Sequence, residues 1–198
     1  MASEIQVAKV AATAIGSELA ITSLDDNRVL ARTLKENWDI ERRATLRDSS
    51  YNFATRRWAL AAADLTVTDI EPYPYSAAFR LPGECLRFLE LLDNVARLDY
   101  RVEGGFILCN VGGPLYVRGI KDVPEMGVWS DDAATAFGLR LAWKCGHKIA
   151  GSSFDQSTAE RKYRNALNDA GHVDAIENPP MDQEESDWVN ARLRWGMQ

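Results

Sequence analysis

The chain has 198 residues, of which 46% are hydrophobic and 26% charged, so it can bury a real core and wholesale disorder is excluded. A net charge of −6 argues against general duplex binding, which needs a basic surface to neutralise phosphates. The longest unbroken apolar run, Trp58 to Ala63, is far too short for a membrane span, and Glu4 and Lys9 around a weak Ala/Val segment read as a poor signal peptide.

Residues 3–15 carry Ile5, Ala8, Ala12 and Ile15 at helical spacing and end at Gly16. That pattern predicts a helix whose small-residue face packs closely on a neighbour. Ser23, Asp25 and Asp26 offer capping side chains for a second helix, from about Asn27 to Leu46. Its buried stripe reads Leu30, Leu34 and Trp38, with Ile40 and Leu46 near it. Asn52 to Ala63 reads as a further helical run through Phe53, Arg57, Leu60 and Ala61. No strand is expected before Asp64.

From Asp64 the pattern changes. Thr66-Val67-Thr68 and Ile70 are β-prone, and Pro72, Pro74, Pro82 and Gly83 punctuate the chain after them. Leu86 to Leu91 fits a strand or a short helix. Tyr100-Arg101-Val102-Glu103 and Phe106-Ile107-Leu108-Cys109 flank Gly104-Gly105. Two glycines there predict a hairpin, because a type I′ turn needs φ > 0 at both positions. Gly112-Gly113-Pro114 makes the next turn, and Leu115 to Ile120 supplies a third strand of an antiparallel meander.

Ser130 caps a helix running to Ile149 or Ala150 and closed by Gly151, with the stripe Ala134, Phe137, Leu141, Cys145 and Ile149. Ser157 to Glu160 has capping-box spacing for a last helix through Tyr163, Leu167 and Ala170. Gly171 either stops that helix or is passed at a modest cost. Pro179-Pro180 then breaks the chain, and Glu184 to Trp195 could form a final amphipathic helix. The expected fold is α+β and mainly helical, with helices from both chain ends packed together around a small mid-chain antiparallel β-meander. Residues 1–63 and 131–178 form one bundle, 64–130 an inserted β-rich region, and 179–198 a C-terminal arm.

The charge is uneven. Residues 28–57 hold eight basic and four acidic side chains, whereas 169–198 hold seven acids against Arg192 and Arg194. The two segments would attract each other within a chain or between copies, unless both are simply solvated faces. Arginines outnumber lysines by 17 to 6, a bias suited to desolvated bidentate contacts. Arg140, Lys144 and Lys148 recur at i, i+4, i+8 on one helix and repel unless something acidic answers them. Trp188 and Trp195 stand in an acidic, polar tail and want a pocket, with a partner's surface favoured over the protein's own core.

Chemistry-bearing constellations are sparse. Cys85, Cys109 and Cys145 form no CxxC pair and suit reduced, packed thiols. Cys145-Gly146-His147 is too thin for zinc. The glycine pairs at 104–105 and 112–113 are turns and not phosphate loops, and Ser152, Ser153 and His147 lack a nucleophile elbow. The acid pairs Asp25-Asp26, Asp131-Asp132 and Glu184-Glu185 sit at helix starts, where capping explains them. No catalytic residue, metal or cofactor is expected.

Several segments, taken together and in order, resemble the head–tail adaptor family of tailed bacteriophages, especially the tail tubular protein A group. They are Ile15-Gly16, Ser23-Leu24-Asp25-Asp26, Trp38-Asp39, Arg42-Arg43 and Asn52-Phe53-Ala54 with Arg57 and Leu60. Ser49-Ser50-Tyr51 stands where the family typically writes His-Pro-Trp. Ala78-Phe79-Arg80-Leu81-Pro82, Cys85-Leu86-Arg87, Tyr100 to Leu108, Leu115-Tyr116-Val117-Arg118 and Asp122-Val123 come next. Phe137 to Ile149, Tyr163, Ala170 and Asp174-Ala175 complete the series.

The resemblance implies a structural virion protein of the neck or tail, made in the host cytoplasm. Such subunits form a ring, usually of twelve, beneath the portal and join it to the tail nozzle or next tail protein. Their lumen passes DNA non-specifically, some carry tail fibres, and no membrane is involved. Portal docking would fall to Trp188, Arg192 and Trp195, and subunit-interface or channel-facing roles to Arg42, Arg43, Arg140, Lys144 and Lys148. The competing readings are a hydrolytic enzyme with an unrecognised carboxylate site and a free cytosolic scaffolding protein.

Overall fold

Ser3 opens the first helix by a reciprocal cap. Its hydroxyl accepts from the Gln6 backbone N–H at 3.3 Å while the Gln6 side chain accepts from the Ser3 N–H at 2.8 Å. In the computed structural model, which describes residues 2–17, 21–66, 68, 70–92 and 98–177, helix α1 (Glu4–Ile15) ends at Gly16 with φ 79°. Only glycine enters that left-handed cap without strain. Helix α2 (Val29–Asp48) starts two residues later than expected, from Arg28 without a side-chain cap. Asp26 instead turns back to accept from Thr22 and Ser23. Leu30, Leu34, Trp38 and Leu46 are buried as the spacing predicts, but Ile40 lies on the solvent side at 67% exposure.

Helix α3 (Asp131–Ala150) is capped by Ser130, whose hydroxyl accepts from the Ala133 N–H. It packs against each of the other three helices. Helix α1 meets it through Val7 and Val10 where α3 has Gly138. A Cβ there would stand 2.8 Å from Val10 Cβ and 2.9 Å from the Val7 carbonyl oxygen. Helix α4 (Gln156–Glu177) passes through Gly171. Its start is held by Asp155, which accepts from the N–H groups of Ser157 and Thr158, and not by the expected box at Ser157. An aromatic chain ties the helical core together: Trp38 on Phe137 (4.9 Å), Phe137 on Trp129 (5.6 Å), Trp129 on Phe53 (5.2 Å) and Phe53 on Tyr51 (5.3 Å).

The region after α2 is not helical. Asn52–Ala54 makes one 3₁₀ turn, and Thr55–Leu60 is strand β1. Trp58 and Leu60 alternate inward between exposed Arg57 and Ala59, a period of two that six residues express too briefly to outweigh the surrounding 3.6 pattern. Strands β2 (Ala77–Arg80), β3 (Cys85–Leu91), β4 (Tyr100–Glu103), β5 (Phe106–Cys109) and β6 (Leu115–Lys121) come after it. The β4–β5 hairpin turns at Gly104 and Gly105 with φ 57° and 82°, the expected type I′ signature.

The sheet is not one meander. β6 leaves β5 at the Gly113-Pro114 turn and pairs antiparallel with β1 and β3, while β2, β5 and β4 form a second antiparallel sheet. Side-chain alternation explains the split. Leu115 and Val117 of β6 face Phe79, Ile107 and Cys109 of the second sheet, whereas Ile120 points the other way into the helical core with Leu86 and Leu89. The first sheet is therefore the middle of three layers, with helices on one face and the second sheet on the other. The fold is α+β and mainly helical, and helices from both ends of the chain share one core.

Candidate functional site

Five cations stand out in the sequence, and the structure places two of them inside. Arg42 is 3% exposed. Its guanidinium pairs with Asp122, just beyond β6, and lies 3.3 Å from Asp39 one turn back. The pair joins the second helix to the middle sheet. Arg43 sits beside it, half-exposed, at 3.7 Å from the other oxygen of Asp122.

Arg140 is 9% exposed and reaches three groups. Its Nε donates to Glu41 Oε2 at 2.6 Å, and its Nη1 donates to Asp48 Oδ2 at 2.5 Å and to Tyr163 Oη at 2.9 Å. Tyr163 in turn donates to the same Asp48 oxygen at 2.7 Å. Burial pushes the Tyr163 phenol well above its ordinary range, and the Asp48 bond adds to the shift. One guanidinium thus ties α2, α3 and α4. Arg42 and Arg140 are buried and paired within their own chain, so they are withdrawn from the expected interface or channel surface. A buried guanidinium without such carboxylates would be too costly to keep there.

The rest of the cationic row is answered differently. Lys148 is exposed and pairs with Glu36 at 3.1 Å. Lys144 lies over the Trp143 ring, 3.7 Å from its centroid, and Trp143 stacks on Tyr163 at 5.8 Å. Glu36, Glu41 and Asp48 thus all come from α2. The sequence showed these acids but not that their helix faces the cationic row. The placement of Arg140 three residues after Phe137 and next to Leu141, on a core stripe, was the available signal.

A second polar joint links the turn before β1 to α4. The Asn52 backbone N–H donates to Asp174 Oδ2 at 2.8 Å, and the Asn52 amide donates to the Asp174 carbonyl at 2.8 Å. Asp174 is 8% exposed, and burial raises its carboxyl above the ordinary value despite the Asn52 bond. A cavity of about 230 Å³ opens beside it, lined by Ser49, Ser50, Arg118 and Asp174 among others. Cys145 is buried, with its thiol pushed up to about 11 by desolvation, while His147, two residues on and on the other side of the helix, is exposed. The two do not converge. Among the described residues no three His, Cys, Asp or Glu side chains gather to hold a metal.

An apolar opening lies at one corner of the bundle, where α1 ends, α2 begins and α3 ends. It measures about 520 Å³ and is lined by Ile15, Gly16, Val29, Leu30 and Ile149 among others. A second hollow of about 260 Å³ adjoins it through Ile15, Gly16 and Ala150 and reaches Phe154 and Lys162. No local pattern marks this corner, because its walls come from three separate helix ends. Trp188, Arg192 and Trp195 lie outside the described residues.

The chain matches no protein-family model, and no curated protein matches it significantly.

Proposed function

We propose that this protein is a structural virion component, a head-to-tail adaptor that assembles as a ring beneath the portal and lines part of the DNA exit channel. The observation that carries the reading is that segments resembling the adaptor family, far apart in sequence, meet as joints of one architecture. Arg42 of one such segment pairs with Asp122 of another, 80 positions on. Asn52 of Asn52-Phe53-Ala54 bonds twice to Asp174 of Asp174-Ala175, 122 positions on. Tyr163 holds Arg140 within the matching α3 stretch.

The principal buried polar clusters are also of a kind that supports a building role. Their charges are answered from within the chain and tie helix to helix or helix to sheet. A ring needs each subunit to present two different complementary surfaces, because heterologous contacts close only by rotation. The net negative charge suits a conduit, since a lumen that held phosphates tightly would retard DNA.

Portal docking falls to the C-terminal segment, with Trp188, Arg192 and Trp195 as its anchors. Electron microscopy of the purified chain, alone and mixed with the portal protein encoded in the same genome, tests the proposal. Rings stacked on the portal are expected, and truncation after Pro180 should abolish stacking without lowering the melting temperature. A chain that stays monomeric beside portal rings, and is missing from virions by mass spectrometry, overturns it.

A further inference from the structure

The cavity of about 230 Å³ between α4 and the middle sheet has walls of opposite charge that do not pair with each other. Asp174 stands on the helix side and Arg118 of β6 on the sheet side, with Ser49, Ser50 and Asn52 joining them from the link before β1. Asp174 is 8% exposed, and one of its oxygens accepts from the Asn52 N–H. Buried charges are ordinarily paired, yet no cation lies within ion-pair distance of Asp174 among the described residues. Burial pushes its carboxyl up, and the nearby carboxylates Glu177 and Asp132 add to the shift. The sheet side is the reverse. The Nε of Arg118 lies 2.9 Å from Glu90 Oε1, and its terminal nitrogens have no partner among the described residues. Arg57 stands directly across the strands from it, and Arg87 donates to the Ser49 carbonyl and the Ser50 hydroxyl. Three guanidiniums thus stand on this side, with Glu90 as the acid paired among them.

We propose that this cavity is a binding site for a small zwitterion of the α-amino-acid type, its ammonium set against Asp174 and its carboxylate against Arg118. Charge selects the class. A simple cation would meet the guanidiniums of the sheet side, and a simple anion would meet the carboxylates of the helix side. A molecule that carries both charges answers both walls. Asn52 commits its N–H and its amide nitrogen to Asp174, which leaves its Oδ1 to accept from the same ammonium. Size selects the smallest members. Sites for drug-sized ligands measure about 300–1,000 Å³, and this cavity lies below that range. The site does not rest on the adaptor reading.

The test titrates glycine into the full-length, nitrogen-labelled chain at neutral pH and follows the backbone amides of Asn52 and Gly171 by nuclear magnetic resonance. Saturable shifts at both are expected. Glycine methyl ester keeps the ammonium alone, and N-acetylglycine keeps the carboxylate alone. Each should bind about tenfold or more weakly than glycine, the scale of one charge-assisted hydrogen bond. Asp174→Asn and Arg118→Gln should each weaken glycine by a similar factor. Asn at 174 keeps an acceptor for the Asn52 N–H, and Arg118 is a third exposed, so both variants are expected to fold, with a melting temperature near or above wild type as the check. The two analogues decide the matter on the unaltered chain if a variant fails that check. Glycine that gives no saturable shift overturns the proposal. So does an analogue that binds as well as glycine, or a folded variant whose glycine affinity is unchanged.

Discussion

Arg140 concentrates more of the fold in one side chain than any other described residue, because Glu41, Asp48 and Tyr163 all depend on it. Removing one member of a buried ionic network leaves its partners desolvated and unpaired, which typically costs about 3–5 kcal/mol. Asp48 keeps 41% of its side chain in solvent, so the lower end applies. Arg140→Ala is expected to cost about 3 kcal/mol, a fall of about 6–12 °C in melting temperature for a chain of this size. A melt within about two degrees of wild type, a shift worth under 1 kcal/mol, would mean that the network is not a structural tie. Asp174 gives a prediction of opposite sign. Its folded carboxyl titrates above the ordinary 3.8, so the fold favours its protonated form. That contribution is fully present below the unfolded value and is lost as pH rises through the folded one. Asp174→Asn keeps an acceptor for the Asn52 N–H without the charge. Its stability relative to wild type should therefore be higher at pH 7 than at pH 3.5, as read from urea unfolding at both. A relative stability that does not change with pH would leave the burial of that carboxyl without energetic consequence.

Two elements are fixed by glycine for different reasons. In the β4–β5 hairpin the need is conformational. Val at Gly104 and Gly105 must adopt left-handed backbone, at about 1–2 kcal/mol per residue. The double variant should melt several degrees lower, and an unchanged melt would contradict the turn. At Gly138 the need is room. Gly→Ala inside a helix ordinarily gains about 1 kcal/mol. Here the methyl meets Val10 and the Val7 carbonyl under 3 Å, so Gly138→Ala should instead lose about 1–3 kcal/mol in denaturant unfolding. The same contrast explains what the sequence disclosed. The hairpin, the Ser130 cap and the Gly16 stop are legible because each is settled by a few adjacent residues. β1 reads as helix in the sequence because Trp58 and Leu60 alternate over too short a run, and because their partners, Val117 and Leu115, lie over fifty positions away. The split of the sheet is hidden for a similar reason: β6 leaves β5 to pair with β1 and β3, which lie well before it in the chain. Of the candidate site, the cationic row on α3 is visible, but the acids that answer it belong to α2 and carry no local mark.

Across the whole molecule, the charge asymmetry of the sequence is partly an internal device. Within residues 28–57, Arg42 and Arg43 converge on Asp122 and Lys35 holds Asp25. Arg47 and Arg57 remain exposed without an ion-pair partner among the described residues, and Arg57 stands directly across the strands from Arg118. On the acidic side Asp174 is buried, so the surplus falls on Asp169 and residues 177–187. If copies associate through what is left over, Arg47 and Arg57 are among the cations available to meet that acidic surplus from a neighbour. Exposed pairs of this kind are individually weak, and their reach contracts from about 8 Å at physiological salt to about 3 Å at 1 M. Association driven by them should therefore weaken steeply with ionic strength, whereas apolar association would strengthen or hold. Light scattering of the purified chain from low salt to 1 M reads the difference, and an Arg47→Glu/Arg57→Glu chain should associate poorly even at low salt. Assemblies indifferent to both salt and charge reversal would place the contact on apolar surface, and the exposed Val128 and Tyr116 would then be the side chains to replace next.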